Sequence, residues 1–173
     1  MTKFDLVIIG AGPSGYAAAM RALDFKKKTL LIEKGKVGGA GVTNGALSSK
    51  TWWELSREAS AFRKSLIRFN IQAPGVHYKE IQAEVRRAVQ ERKSMLEENM
   101  DHLRDTNYSG LLEFKTGTAK LISQNEVEIS NGVHREVVWA DSIILATGSR
   151  PRYLQELPVD EHIVMTSEGI ENM

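Results

Sequence analysis

At 173 residues the chain has the size of one domain, and a domain near that size buries roughly 70% of the surface its unfolded chain would expose. With 42% hydrophobic and 26% charged residues and a formal net charge of +1, the composition excludes the disordered and collagen-like classes. It gives no electrostatic reason to expect nucleic acid or an anionic membrane as a partner. The lack of cysteine excludes disulfide staples, thiolate metal sites and cysteine nucleophiles.

Phe4 to Ile9 form a short apolar run ending at glycine, the pattern of a strand buried on both faces of a parallel sheet. Gly10, Gly12 and Gly15 interrupt the run and no cleavage-site pattern follows, so it does not read as a signal peptide. No stretch approaches the roughly 20 apolar residues of a membrane span, and the expectation is a soluble cytoplasmic protein. From Pro13 to Phe25 alanines, Met20 and Leu23 predict a helix, with Lys26 to Lys28 placing positive charge near its C-terminus. Thr29 to Ile32 predict a second buried strand, completing a right-handed βαβ unit.

A glycine-rich stretch from Gly35 to Gly45 leads into a predicted helix from Leu47 to Phe69, with Trp52, Leu55, Ala59, Phe62 and Leu66 at helical spacing. After Ala73, Pro74 and Gly75, a second amphipathic helix carries Tyr78, Ile81, Val85, Val89, Leu96, Met100 and Leu103 on one stripe. Between Leu111 and Val138 β-branched and aromatic residues alternate with polar ones, and Asn131-Gly132 signals a two-residue hairpin turn. An antiparallel cluster of three strands is expected there. Ser142 to Ala146 predict one more short buried strand of the parallel sheet, and the tail from Pro151 shows no clear period. The fold class is therefore α/β: a Rossmann-like parallel sheet with a small antiparallel β-meander.

Gly10-Ala11-Gly12-Pro13-Ser14-Gly15 is a G-x-G-x-x-G pattern set between a predicted strand and a predicted helix, and Glu33 ends the next strand 18 residues after Gly15. In such a site Gly10 permits the tight turn, Gly12 lets the backbone approach a pyrophosphate, and Gly15 lets helix and strand pack closely. The helix that opens at Pro13 and Ser14 presents free N–H groups and positive dipole to a diphosphate. Glu33 is placed to accept hydrogen bonds from the adenosine ribose hydroxyls. The fingerprint alone does not separate FAD from NAD.

From Gly38 the chain reads Gly-Gly-Ala-Gly-Val-Thr-Asn-Gly-Ala-Leu-Ser-Ser-Lys, which resembles the redox-disulfide segment G-G-T-C-L-N-V-G-C-I-P-S-K of the lipoamide dehydrogenase and glutathione reductase family of flavoproteins. Ala146-Thr147-Gly148-Ser149-Arg150-Pro151 resembles the family's second FAD-contacting motif, with Gly117-Thr118-Ala119 between the two. The resemblance implies that Glu33, Lys34, Gly38, Gly39, Ala40 and Gly41 line the adenosine and pyrophosphate of FAD. It places Lys50 beside the isoalloxazine ring and the Ala119 backbone at the adenine end. Ala146, Thr147, Gly148 and Ser149 close over the cofactor.

Two departures accompany the resemblance. The two redox cysteines are replaced by Gly41 and Ala46, and lipoamide or glutathione chemistry needs one thiolate to attack a substrate disulfide and a second thiol to pass electrons to flavin. No disulfide reductase activity is expected. The family also carries a nicotinamide-binding domain and a dimerisation domain with an acid-base histidine after its FAD domain, and nothing after Pro151 can be either. Residues 1–150 are thus expected to form the FAD domain and 151–173 a linker in a fragment of a longer oxidoreductase, which would take NAD(P)H as electron donor and form a homodimer.

Other constellations are weaker. His77, His102, His134 and His162 are scattered without a second ligand at metal spacing. Ser48 and Ser49 lack a base and read as helix-capping residues, and Trp52 and Trp53 as core and rim of one helix. The leading function is a FAD-dependent oxidoreductase passing electrons from a reduced nicotinamide to a non-disulfide acceptor. The alternatives are a non-catalytic FAD-binding module and a plain NAD-binding domain.

Overall fold

A computed structural model describes residues 1–43, 45–72, 74–105 and 108–170. The first strand, β1 (Thr2–Ile9), feeds helix α1 (Pro13–Asp24), which returns the chain to β2 (Thr29–Glu33) parallel to β1, with Leu6 opposite Thr29 and Ile9 opposite Ile32. Proline at the first helical position costs no hydrogen bond, because that amide has no intrahelical acceptor. At the other end Phe25 N–H donates to the Ala22 carbonyl, and Lys26, in the left-handed region at φ 53°, turns the chain out of the helix.

A short helix α2 (Gly39–Val42) precedes two long helices, α3 (Ala46–Arg68) and α4 (Tyr78–Asp105), which pack against each other. Trp52 on α3 is half-buried and stacks on Tyr78 at the start of α4, with ring centroids 5.3 Å apart, whereas Trp53 faces solvent. The stripe expected on α4 is the side that packs, with Val85 and Met100 buried. No helix among the described residues is long and apolar enough to cross a membrane.

The rest of the sheet comes from β3 (Leu112–Thr116), β4 (Thr118–Leu121), β5 (Glu126–Ser130) and β6 (Arg135–Leu145), in the spatial order β3-β2-β1-β6-β5-β4. Three sequence expectations are corrected here. Leu112–Thr116 is not part of the antiparallel cluster; it pairs parallel to β2, with Thr29 opposite Leu112 and Glu33 opposite Thr116. The Asn131-Gly132 turn is longer than two residues: Ser130 pairs with Arg135, and the Asn131 side chain accepts from the amides of Val133 and His134 inside the loop. An Asn side chain that bonds the backbone two residues on mimics a backbone turn, and here it holds the longer loop.

Third, Ser142 to Ala146 is not a separate buried strand. It continues β6, whose first half pairs antiparallel with β5 while Val138 to Leu145 run parallel to β1. Ile144 and Leu145 are 38% and 62% exposed, because β5 pairs with β6 no further than Trp139 and no other described strand lies on that side. The tail holds a bridge between Leu154 and Leu157 and a four-residue helix α5 (Ser167–Ile170).

Each face of the parallel sheet has its own core. Phe4, Val7, Ile9, Leu30 and Ile32 pack against Val127, Ile129 and Val138 of the meander, and Ile8, Leu31 and Leu112 pack against Ala19 and Leu23 of α1 and Met100 of α4. Alternate side chains of a strand point to opposite faces, so both neighbours of each strand residue can be apolar only when both faces are covered. This layering fixes where the C-terminal ends of β1, β2 and β6 lie, and the candidate site forms there.

Candidate dinucleotide cleft

β1 ends at Ile9 and the chain must turn sharply into α1. Gly10 makes this turn at φ +106°, a conformation side-chain-bearing residues rarely adopt, and a Cβ there would strike the Ala146 carbonyl oxygen. Gly15 is buried, and its missing Cβ leaves room for the Gly10 carbonyl, so α1 sits directly against the strand end. Gly12 differs from both: a Cβ built on it would meet nothing within 4 Å. The space beside Gly12 is open cleft, and its glycine leaves the peptide bare toward that cleft.

Gly12 is also the N-cap of α1. No side chain caps this helix end and its first turn holds no acidic residue. The Tyr16 amide returns to the Gly12 carbonyl, leaving the preceding first-turn amides without intrahelical acceptors at the positive end of the helix dipole. Such an end is suited to an anion.

Glu33 closes the second wall. Its Oε2 accepts from the Ala11 amide at 2.7 Å and its Oε1 from the Gly35 amide at 2.8 Å. The carboxylate therefore ties the end of β2 to the glycine turn, while each oxygen keeps a further lone pair for a ligand hydroxyl. A second tie runs from the Gly38 amide to the Ala11 carbonyl at 2.9 Å, and a Cβ on Gly39 would lie 3.1 Å from Gly12 Cα. The two glycine-rich segments thus meet backbone to backbone.

The cleft has a volume of about 330 Å³. Gly10, Gly12, Pro13 and Ser14 line its first turn, and Glu33, Lys34, Gly39 and Ala40 line the side that follows β2. Ala119 stands on the meander side, and Ala146, Thr147, Gly148 and Ser149 follow the end of β6. Four predicted residues lie elsewhere. Gly15 is behind the turn as a packing residue, Gly38 and Gly41 wall a separate cavity, and Lys50 is exposed in the second turn of α3. Ser48 and Ser49 do not cap α3, whose N-cap is Gly45; their hydroxyls donate back to the Gly45 and Ala46 carbonyls.

Ile9 and Ile32 line the cleft as well and were not anticipated, and so do Gly117 and Thr118, which the sequence motif included without a role of their own. The first two are the last apolar residues of adjacent parallel strands. Ligands of open α/β sheets bind beyond the carboxyl ends of the strands, so this rule could have found them. The set suits a dinucleotide: bare peptide and a helix N-terminus for diphosphate, a carboxylate for ribose, and apolar strand ends for a base. Gly12 supplies the test of fit, since the direction its side chain would take is free of protein.

Comparison with known proteins agrees with this architecture. A family described as pyridine nucleotide-disulphide oxidoreductase matches residues 4–171. The chain is 31% identical over 180 residues to a dihydrolipoyl dehydrogenase of Bacillus subtilis, covering 96% of this chain and 36% of that protein. It is 36% identical over 172 residues to the dihydrolipoyl dehydrogenase of Chlamydia trachomatis, covering 98% and 36%. Among solved structures, LpdA from Mycobacterium tuberculosis superposes with a TM-score of 0.80 at 21% identity, over all of this chain and 37% of that one. The HOCl-induced flavoprotein disulfide reductase RclA from Escherichia coli, as its Cu(II) complex, gives 0.78 at 17%, over all of this chain and 35% of that one. At those identities the two structures show a shared fold. The chain spans 36% of the length of these two curated relatives.

Proposed function

The chain belongs to the pyridine nucleotide-disulphide oxidoreductase family, and from that premise we propose that it is the FAD-holding part of a dihydrolipoyl dehydrogenase-like flavoprotein that delivers electrons to an acceptor other than a disulfide. The observation that carries the reading is the pairing of an intact cleft with two lost thiols. Gly12 is bare and α1 uncapped, while Gly41 and Ala46 stand where the resembled segment has its cysteines, and the chain has none elsewhere. A thiolate cannot be supplied from within this sequence.

FAD, when bound, supplies hydride and electron chemistry that no side chain offers. The chain's own residues hold it. The first-turn amides from Ser14 onward take the diphosphate, and Glu33 takes the ribose hydroxyls with the lone pairs its two backbone bonds leave over. Ala119 meets the adenine end, and Thr147 to Ser149 lie over the chain of the cofactor. Lys50, outside the cleft, is assigned to the flavin end on the resemblance alone. NAD(P)H is the proposed donor, acting with domains that the longer relatives carry; residues 151–173 lead toward them, and the longer form is a homodimer.

The absorbance spectrum of the purified chain after addition of FAD and removal of free ligand tests the reading. The two-banded visible spectrum of oxidised flavin, retained at a ratio near one per chain, is expected. A colourless protein that instead binds NAD would replace this reading with that of a nicotinamide domain.

A further inference from the structure

A second cavity, of about 370 Å³, shares Gly12 and Pro13 with the cleft but opens among the helices. Its walls include Tyr16 of α1, Gly41 and Val42 of α2, Leu47 of α3, and Arg92 and Leu96 of α4. It is open to solvent on one side, where Arg92 is exposed, and open clefts of this size can hold small organic molecules through an apolar body and a few placed polar groups.

Arg92 is the single charged residue of that wall, and it has no ion pair or hydrogen bond among the described residues. Its neighbours on α4 do: Arg87 pairs with Glu84 at 3.1 Å and Lys93 with Glu97 at 3.5 Å. Arg86 is unpaired too among the described residues, but Arg92 is the cation of α4 that borders the cavity. Tyr16, also in the wall, has its hydroxyl at Asn99, which does not line the cavity. The rest of the wall offers only hydrocarbon and bare glycine peptide.

We propose that this cavity is a ligand site distinct from the dinucleotide cleft, and that it takes a small aromatic monocarboxylate. The carboxylate pairs with Arg92, whose planar fork matches it bidentately, and the ring packs on Val42, Leu47 and Leu96. One cation matches one negative charge; a phosphate monoester or dicarboxylate would bring a second charge with no partner in the wall, and an amine would face the guanidinium. Gly41, where the resembled segment has a thiol, is here part of a noncovalent surface. The proposal stands on residues of the helical layer and requires neither FAD nor turnover.

The test is a methyl-resolved NMR titration of the full 173-residue chain with benzoate, and with benzamide as a neutral molecule of the same shape. Saturable benzoate-dependent shifts at the methyls of Val42, Leu47 and Leu96 are expected, with benzamide weaker by about tenfold or more. Arg92→Gln, a change at an exposed position, should bring benzoate down to the benzamide level. Shifts that do not saturate, shifts centred on other residues, or an Arg92→Gln variant that binds benzoate as tightly as the parent would overturn the proposal. Leu96→Trp, which fills the cavity, should lose both ligands; undiminished binding by a folded Leu96→Trp variant would count equally against it.

Discussion

Lys115 Nζ lies 2.7 Å from Glu136 Oε2, although their strands, β3 and β6, stand three places apart in the sheet. In a flat sheet three strand spacings amount to roughly 14 Å. The contact is possible because β6 leaves the parallel layer and carries the meander back across it, so that the hairpin loop reaches the far edge. Lys115 also meets Glu113 at 3.2 Å, and the three side chains pin the two layers together beside the strand that supplies Gly117, Thr118 and Ala119 to the cleft.

The Lys115 clamp should respond to alkali. Burial opposes the charged ammonium, but hydrogen bonds to Glu136 and Glu113 outweigh it and hold the pKa above the ordinary lysine value. A raised pKa means stability that is fully present below the unfolded value, about 10.4, and is lost as pH rises through the folded one. Urea unfolding of the parent and of Lys115→Met should therefore differ by a constant amount from neutral pH to about 10, and the gap should close above that. A gap that persists unchanged through strong alkali would mean that the ammonium contributes nothing.

Two glycines of the fingerprint should separate stability from binding. Gly12→Asp places a carboxylate in open cleft at an N-cap with φ −72°, where it can accept from the free first-turn amides. The helix should be as stable as before or more so, by up to about 1 kcal/mol, while FAD content falls to background because the anion site is filled by an anion. Gly15→Ala should do the reverse. Its Cβ would collide with the Gly10 carbonyl, so the melting temperature falls whether or not nucleotide is present. Differential scanning fluorimetry with a flavin assay reads both; Gly12→Asp protein that still holds FAD would disconnect the helix end from the diphosphate.

Glu33 has a structural role besides its proposed ribose contact, since it accepts two backbone hydrogen bonds. Glu33→Ala should cost about 1–3 kcal/mol in urea unfolding even without ligand, because the Ala11 amide loses a charged acceptor. Glu33→Gln keeps one acceptor oxygen and should recover part of that loss while still weakening the retention of FAD. If both variants unfold like the parent, the carboxylate is not holding the turn.

Lipoamide offers the chemical control. With Gly41 and Ala46 at the thiol positions, the longest form of the protein that can be expressed should show no NADH-driven lipoamide reduction above background while still oxidising NADH with a quinone or dioxygen. Measurable lipoamide turnover would require a reducing group that the sequence does not reveal, and the non-disulfide reading would fall.

Much of this was legible in local pattern. The apolar run Phe4 to Ile9, the fingerprint from Gly10 to Gly15 and Glu33 at the end of the next strand specify a βαβ unit, because strand burial, turn geometry and helix start are set by neighbours within a few residues. The same local logic gave α3 its bounds to within a residue and placed an apolar stripe from Tyr78 to Leu103 that falls within α4. The place of the cleft followed once the strand ends were known, since Gly10, Glu33 and Ala146 each sit at or just past the end of a strand.

Partner choice between strands was decided by the tertiary structure. Leu112–Thr116 reads like the strands after it, yet it pairs with β2 because that sheet edge is free and α4 delivers the chain there; alternation records which face is buried and not which neighbour is bonded. The single long β6, shared by β5 and β1, and the separation of Gly38 and Gly41 from the cleft have the same origin. They depend on how the meander curls and how α2 lies against Pro13. Those are contacts between distant segments, and no residue encodes them alone.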